Sequence, residues 1–310
     1  MTKALMIGAR CRRQGIGEYV ARSLSRAGAG VRAIVGTTAE TAGEAREALR
    51  RYGIECSAYT SVEAALQNER PDVVAICSPY AVHYENLEAV LESGAHCLCE
   101  KPLWWGKDAN RKAATARIVD GFIEAGRYLA MITQWPYTLP AFYDLYPQVE
   151  RQPVERFAME LSPIAPGRGM ILDAAPHLLS MLQSLVGLGE IRAPRLRFRD
   201  RTQRELEVDF DYHHAAGAAS VAFRASVCVG RPRPACYVIN GFRVDRGVML
   251  PDYEIYFSGG GRRVRLEDPL ELLVKDFLEK VEAGAPVDRG ALIHSITALE
   301  ELYCTEELEP

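Results

Sequence analysis

Through the first 134 residues, short apolar runs alternate with amphipathic stretches. Runs at 4–7, 31–35, 73–77, 97–100 and 128–133 read as buried strands, with a weaker one at 54–58. Helical spacing between them predicts helices over 17–26, 39–52, 62–67, 82–92 and 109–124. Regular strand–helix alternation predicts a doubly wound parallel sheet.

After Gln134 the pattern changes. Residues 142–149 read as a helix, 154–161 as a strand, and 171–185 as an amphipathic helix stopped by Gly187. From 195 to 266 the period becomes two: Leu206, Val208, Phe210 and Tyr212 alternate with Glu207, Asp209 and Asp211. Strict alternation predicts a mostly antiparallel sheet with one covered and one open face. Arg195, Arg197 and Arg199 share a face, and the connection 200–205 suits a hairpin that pairs them with the acids of the next strand. Helices over 271–283 and 290–306 close the chain. The expected architecture is α/β plus α+β. Residues 1–134 form the doubly wound α/β domain, and 135–310 an α+β domain with an open-faced sheet.

Composition narrows the function class. A net charge of −4 and a pI near 6.0 give no reason to expect a nucleic-acid partner. No apolar run is long enough to span a membrane, and the chain enters its first strand with no signal peptide. Eight cysteines lie scattered without metal-like spacing, as in a reducing, cytoplasmic compartment. His213 and His214 adjoin on a strand and face opposite ways, so no metal site is expected there.

Three stretches carry chemistry. The first is the turn from Gly8 through Gly15 to Gly17, after the first strand. Glycines there let backbone N–H groups approach a pyrophosphate at a helix N-terminus. The usual Gly-x-Gly-x-x-Gly spacing is absent, and the longer loop carries Arg10, Arg12 and Arg13. The second strand ends in Gly36-Thr37-Thr38 with no acid before Glu40. NAD-specific sheets place an acid there for the ribose 2′-hydroxyl. Its absence, the threonine hydroxyls and the arginines favour NADP(H) over NAD(H). In the contrary reading Glu40 reaches the ribose and the arginines point into solvent.

The second stretch is Ala95-His96-Cys97-Leu98-Cys99-Glu100-Lys101-Pro102-Leu103. Pro102 ends the strand and holds Lys101 at its carboxyl end, where open α/β sheets bind ligands. Trp104 and Trp105 follow and suit either a pocket wall or the core. The third is Asp173-Ala-Ala-Pro-His177, whose i, i+4 spacing puts both side chains on one helix face. Pro176 is tolerated in a first turn, so the helix is expected to start near Asp173. The dipole at such a position favours neutral His177, and Asp173 orients the ring, as suits a general acid/base.

The succession Ser78-Pro79, His83 four residues on, a helix, and then Glu100-Lys101-Pro102 resembles the glucose–fructose oxidoreductase / inositol dehydrogenase (Gfo/Idh/MocA) family. That resemblance implies a Rossmann domain followed by an open-sheet domain, often paired as a homodimer. It implies Lys101, Asp173 and His177 as a catalytic trio. Ser78, Pro79, His83 and Glu100 then border the cofactor, and Gln134 and Trp135 line the substrate pocket with Trp104 and Trp105. Ala175 and Pro176 stand where the family commonly has a glycine-containing turn. The activity implied is hydride transfer between a nicotinamide and a carbonyl or hydroxyl carbon of a small sugar-like or cyclic substrate. Imine or enone reduction, and NADP(H) sensing without turnover, are the alternatives.

Overall fold

A computed structural model describes residues 1–9, 15–107, 110–249 and 253–308. The first six strands are β1 (Lys3–Ile7), β2 (Gly30–Val35), β3 (Ser57–Tyr59), β4 (Val73–Ile76), β5 (His96–Glu100) and β6 (Leu129–Ile132). They form one parallel sheet in the order β3-β2-β1-β4-β5-β6. This is the doubly wound order, which reverses direction between β1 and β4. The crossovers are α1 (Gly17–Arg26), α2 (Ala39–Arg50), α3 (Val62–Glu69), α4 (His83–Ser93) and α5 (Arg111–Glu124). Strands β1, β4 and β5 are buried almost throughout, which explains their unbroken apolar runs. The third strand starts later than predicted, at Ser57, and a 3-10 turn, Tyr80–Val82, precedes α4.

The chain then forms a 3-10 turn, Trp135–Thr138, and α6 (Leu139–Leu145), followed by β7 (Arg156–Leu161) and α7 (Gly169–Val186). The helix expected over 142–149 therefore begins earlier and stops at Leu145. Pro136 and Pro140 sit in first turns, where a missing N–H costs nothing. Strands β8 (Gly189–Phe198), β9 (Glu205–His214), β10 (Gly217–Ser226), β11 (Cys236–Ile239), β12 (Phe242–Met249), β13 (Glu254–Gly259) and β14 (Arg262–Arg265) join β7 in a second sheet. Its order is β14-β13-β12-β11-β7-β10-β9-β8, antiparallel except where β7 meets β10.

The β8–β9 hairpin pairs Arg197 with Glu207 and Arg195 with Asp209. A register shift between Arg192 and Arg195 then sets Asp211 opposite Arg192. Glu207 collects Arg197 at 2.5 Å, Arg199 at 2.7 Å and Arg224 of β10 at 3.4 Å. Burial of its carboxyl pushes the pKa up, but the three guanidinium groups outweigh it and the net shift is downward.

The last helices are α8 (Pro269–Glu282) and α9 (Arg289–Cys304). Contacts divide the chain into two compact units: Met1–Ile132 with Leu270–Ile296, and Thr133–Pro269 with Thr297–Pro310. Within the first unit Phe277 packs on Tyr128, Arg26 pairs with Glu271, and Arg289 forks onto Asp120. Within the second, the tail lies along β8, with the Leu308 N–H donating to the Leu196 carbonyl at 2.8 Å.

Candidate active site

In the first unit, the carboxyl ends of β1, β4 and β5 gather the Gly8 turn, Ser78-Pro79 and Glu100-Lys101. Gly8 has a φ of +83°, and a Cβ on it would lie 2.8 Å from the Cys77 carbonyl oxygen. A Cβ on Gly17 would meet the Gly8 carbonyl oxygen at 2.1 Å. Both positions therefore require glycine, one for its left-handed turn and one for close packing. Among the described residues, no side chain caps the α1 N-terminus at Ile16. A helix end beside two positions, Gly8 and Gly17, that admit no side chain fits a pyrophosphate. Gly15 lies in coil just before that helix. Arg10, Arg12 and Arg13 lie outside the described residues.

At the end of β2, Thr38 is the N-cap of α2. Its hydroxyl accepts the Thr41 N–H at 3.1 Å, and its own N–H donates to Thr41 Oγ1 at 2.9 Å. This capping box commits the Thr38 hydroxyl to the helix. Thr37 is exposed beside it, 3.4 Å from Thr41 Oγ1 between hydroxyls.

His83 is fully buried. Its Nε2 lies 2.7 Å from the Ser78 carbonyl oxygen, while Nδ1 lies 3.0 and 3.2 Å from those of Pro102 and Leu103. The ring thus sits between the end of β4 and the turn that follows Lys101. Burial lowers its pKa below the usual 6.5 against the pull of the carbonyls. Cys99 adds its Sγ 3.4 Å from the Leu103 carbonyl, and burial holds that thiol protonated. Asn86 donates to the Ser78 hydroxyl at 3.0 Å. A cis peptide bond joins Lys101 to Pro102, and the lysine side chain is 11% exposed with Nζ 3.8 Å from Glu100 Oε1.

Of the two tryptophans, Trp104 is a core residue. Its indole N–H donates to Thr115 Oγ1 at 2.9 Å, and Tyr84 meets its ring edge-on at 5.0 Å. Trp105 is also buried, with the Arg111 guanidinium 4.4 Å over its ring.

In the second unit, α7 starts at Gly169, not near Asp173, and Pro176 lies inside it. The apolar run Met170-Ile171-Leu172 is buried and drives the earlier start. Pro176 removes only one bond, to the Leu172 carbonyl, from an otherwise packed helix. His177 is therefore well beyond the first turn, and the helix dipole does not set its charge state. Asp173 and His177 remain one turn apart on a half-buried face.

The His177 ring sits 6.5 Å from that of Trp135, at 62°. Trp135 in turn meets Tyr237 of β11 edge-on at 6.2 Å. The Tyr237 hydroxyl lies 3.2 Å from Thr138 Oγ1, which donates to the Trp135 carbonyl. Gln134 precedes the 3-10 turn, and its Oε1 is buried without a hydrogen-bond partner among the described residues. Arg246 of β12 places its guanidinium carbon 5.6 Å from the Trp135 ring. Sequence reasoning passed over Arg246, although it falls in phase with Phe242 and Val244 on the covered face. No group of side chains suited to a metal occurs among the described residues.

Residues 2–120 match the family model described as an oxidoreductase family with an NAD-binding Rossmann fold. A curated relative, the D-glucoside 3-dehydrogenase of Escherichia coli (strain K12), is 41% identical over 59 residues, which is 19% of this chain. The matched stretch spans 16% of that relative's length. Among solved structures, the UDP-N-acetylglucosamine 3-dehydrogenase of Acidithiobacillus ferrooxidans superposes with a TM-score of 0.72 at 20% identity, covering 97% of this chain and 96% of that one. A levoglucosan dehydrogenase in complex with NADH and levoglucosan gives 0.72 at 16% identity, covering 97% of each chain. A 3-ketoreductase from Actinomadura kijaniata, with TDP-benzene and NADP, gives 0.71 at 16%, covering 97% of this chain and 96% of that one. The likeness to these structures shows the same two-domain fold.

Proposed function

We propose that this chain, a member of the Gfo/Idh/MocA oxidoreductase family through residues 2–120, is an NAD(P)-dependent dehydrogenase or reductase of a small sugar-like substrate. The observation that carries the reading is the Gly8–Gly17 turn against the N-terminus of α1, which suits a dinucleotide pyrophosphate. Residues 1–134 are the proposed dinucleotide-binding part, with Ser78, Pro79 and Glu100 bordering the cofactor. Residues 135–310, apart from Leu270–Ile296 of the first unit, are the proposed substrate-binding and oligomerisation part. Sugar dehydrogenases and a ketoreductase among the structural relatives support this class of substrate.

A bound nicotinamide supplies the hydride chemistry. The side chains supply orientation and proton transfer. Lys101 is proposed to hydrogen-bond the reacting oxygen and stabilise the negative charge that develops on it. His177 is proposed to give or take the proton of that oxygen, oriented by Asp173. His83 positions Lys101 by fixing the main chain around it. Trp135, with Gln134, is proposed to face the substrate beside His177; Trp105 has a weaker claim, and the core position of Trp104 removes it from that set.

NADP(H) is the preferred cofactor in this reading, because the end of β2 carries no acid before Glu40. We also propose a cytoplasmic homodimer joined through the open face of the second sheet. The described cysteines are all free, which suits a reducing compartment. No described helix is long and apolar enough to cross a membrane.

Titration of NADH and NADPH, followed by a panel of sugars, cyclic polyols and ketones, tests the activity. Binding with turnover of a polyol or sugar supports the proposal. Turnover of imines or enones alone reassigns the reaction, and tight binding without any turnover assigns a sensor. Absence of dinucleotide binding defeats the reading.

A further inference from the structure

Arg246 is a charge on an apolar face. Its cross-strand neighbour is Phe257, which is fully buried. Phe257 meets Tyr237 ring to ring at 5.5 Å, and Tyr237 meets Trp135. The Arg246 guanidinium reaches the Trp135 ring and donates through Nη2 to the Arg233 carbonyl at 3.0 Å. Its Nε is buried and has no hydrogen-bond partner among the described residues. The Nε of Arg233 is in the same condition.

Elsewhere in this second sheet, several arginines are ion-paired. Arg197, Arg199 and Arg224 converge on Glu207, and Arg243 holds both Glu160 and Asp245. Arg246 and Arg233 form no ion pair with any described carboxylate. Burial lowers the affinity of Arg246 for its proton; Tyr253 opposes this effect and Arg233 adds to it. A guanidinium packed on an aromatic ring and against a second arginine's main chain, with a buried Nε left over on each arginine, is costly unless an anion completes it. A purely structural cation on Trp135 would need neither the second arginine nor the spare donors.

We propose that Arg246, assisted by Arg233, binds an anionic oxygen group, phosphate or carboxylate, carried by the substrate. The guanidinium fork matches such groups in a bidentate manner. Trp135 touches both the guanidinium and His177, so the anion lies one aromatic ring away from the proposed proton donor. The inference rests on the dehydrogenase reading for its word substrate, but the anion site itself does not.

The test is the intact protein, titrated with inorganic pyrophosphate or malonate at matched ionic strength, with chloride as control. NADH is present to fill the dinucleotide turn. Arg246→Met, Arg246→Lys and Arg233→Met are compared with the parent, and melting temperature with calorimetry reads binding. The expected result is binding of at least one anion, weakened about tenfold or more by Arg246→Met and partly restored by Arg246→Lys. Pyrophosphate alone would indicate a phosphate group, malonate alone a carboxylate. If neither anion binds the parent, or if both arginine-to-methionine variants bind as it does, the proposal is overturned. Separate titrations of NADH and NADPH into the same proteins without added dinucleotide read the dehydrogenase proposal. Failure of both NADH and NADPH to bind, with the Arg246 dependence intact, would sink that reading and leave this one standing.

Discussion

Gly17 approaches Gly8 so closely that a single methyl group on it would lie 2.1 Å from the Gly8 carbonyl oxygen. The obstacle is main chain, which cannot swing aside. Gly17→Ala is expected to cost about 1–3 kcal/mol, the usual range for overpacking. It should also weaken NAD(P)H binding, since α1 must move off the turn. Urea denaturation and fluorescence titration check both; an unchanged midpoint would show that the helix shifts freely.

His83 carries a prediction about acid. Its folded pKa lies below 6.5, chiefly through burial. As pH falls through about 6.5 the unfolded chain therefore takes up this proton before the folded one does. The histidine's contribution is complete above that value and is lost as pH falls toward and through the folded pKa. His83→Gln should remove this part of the decline in stability between about pH 7 and pH 5. Denaturation midpoints across that range decide it. A parent protein that gains stability there would mean the ring is an imidazolium on its three carbonyls.

Glu207 is predicted to be the keystone of the open face. Glu207→Gln should lose about 1–2 kcal/mol, because three arginines lose one shared charge while the shape is kept. The loss should shrink in high salt. Thermal unfolding at two salt concentrations measures it. Light scattering on the parent reports whether the face also joins two copies; a monomeric mass at micromolar concentration defeats the dimer.

Lys101→Ala and His177→Ala should each lower turnover by about 10²–10⁴-fold, the range for a positioned proton donor. Cofactor affinity should stay near the parent value. Steady-state rates with any substrate found, together with NAD(P)H titrations, make the comparison. Near-normal turnover in both variants would end their assignment.

NADPH should bind more tightly than NADH, and Arg12→Ala or Arg13→Ala should reduce that difference. Fluorescence titration with both reduced cofactors gives the ratio. Equal affinities would mean that the missing acid at the end of β2 has no bearing on the ribose.

The parallel sheet was legible because β1, β4 and β5 are buried on both faces and so read as unbroken apolar runs. The second sheet was legible because one face is wet and the period of two survives, down to Arg197 opposite Glu207. The start of α7 was not. A proline rule placed Pro176 in a first turn, whereas burial of Met170, Ile171 and Leu172 extends the helix ahead of it. At the site, residue types could be picked out but not their surroundings. That His83 is buried between the Ser78 and Pro102 carbonyls and that Trp104 turns inward onto Thr115 depend on neighbours outside the motif itself. Arg246 could have been found by its phase, since it shares a face with Val244.

Residues Leu270–Ile296 belong to the same compact unit as Met1–Ile132. A ribosome making this chain therefore releases the first sheet long before it releases α8, which supplies Phe277 for Tyr128 and Glu271 for Arg26. The nascent first unit must wait, with those surfaces bare, until the intervening unit has been synthesised. Within this chain, the part made first is thus among the last to be finished.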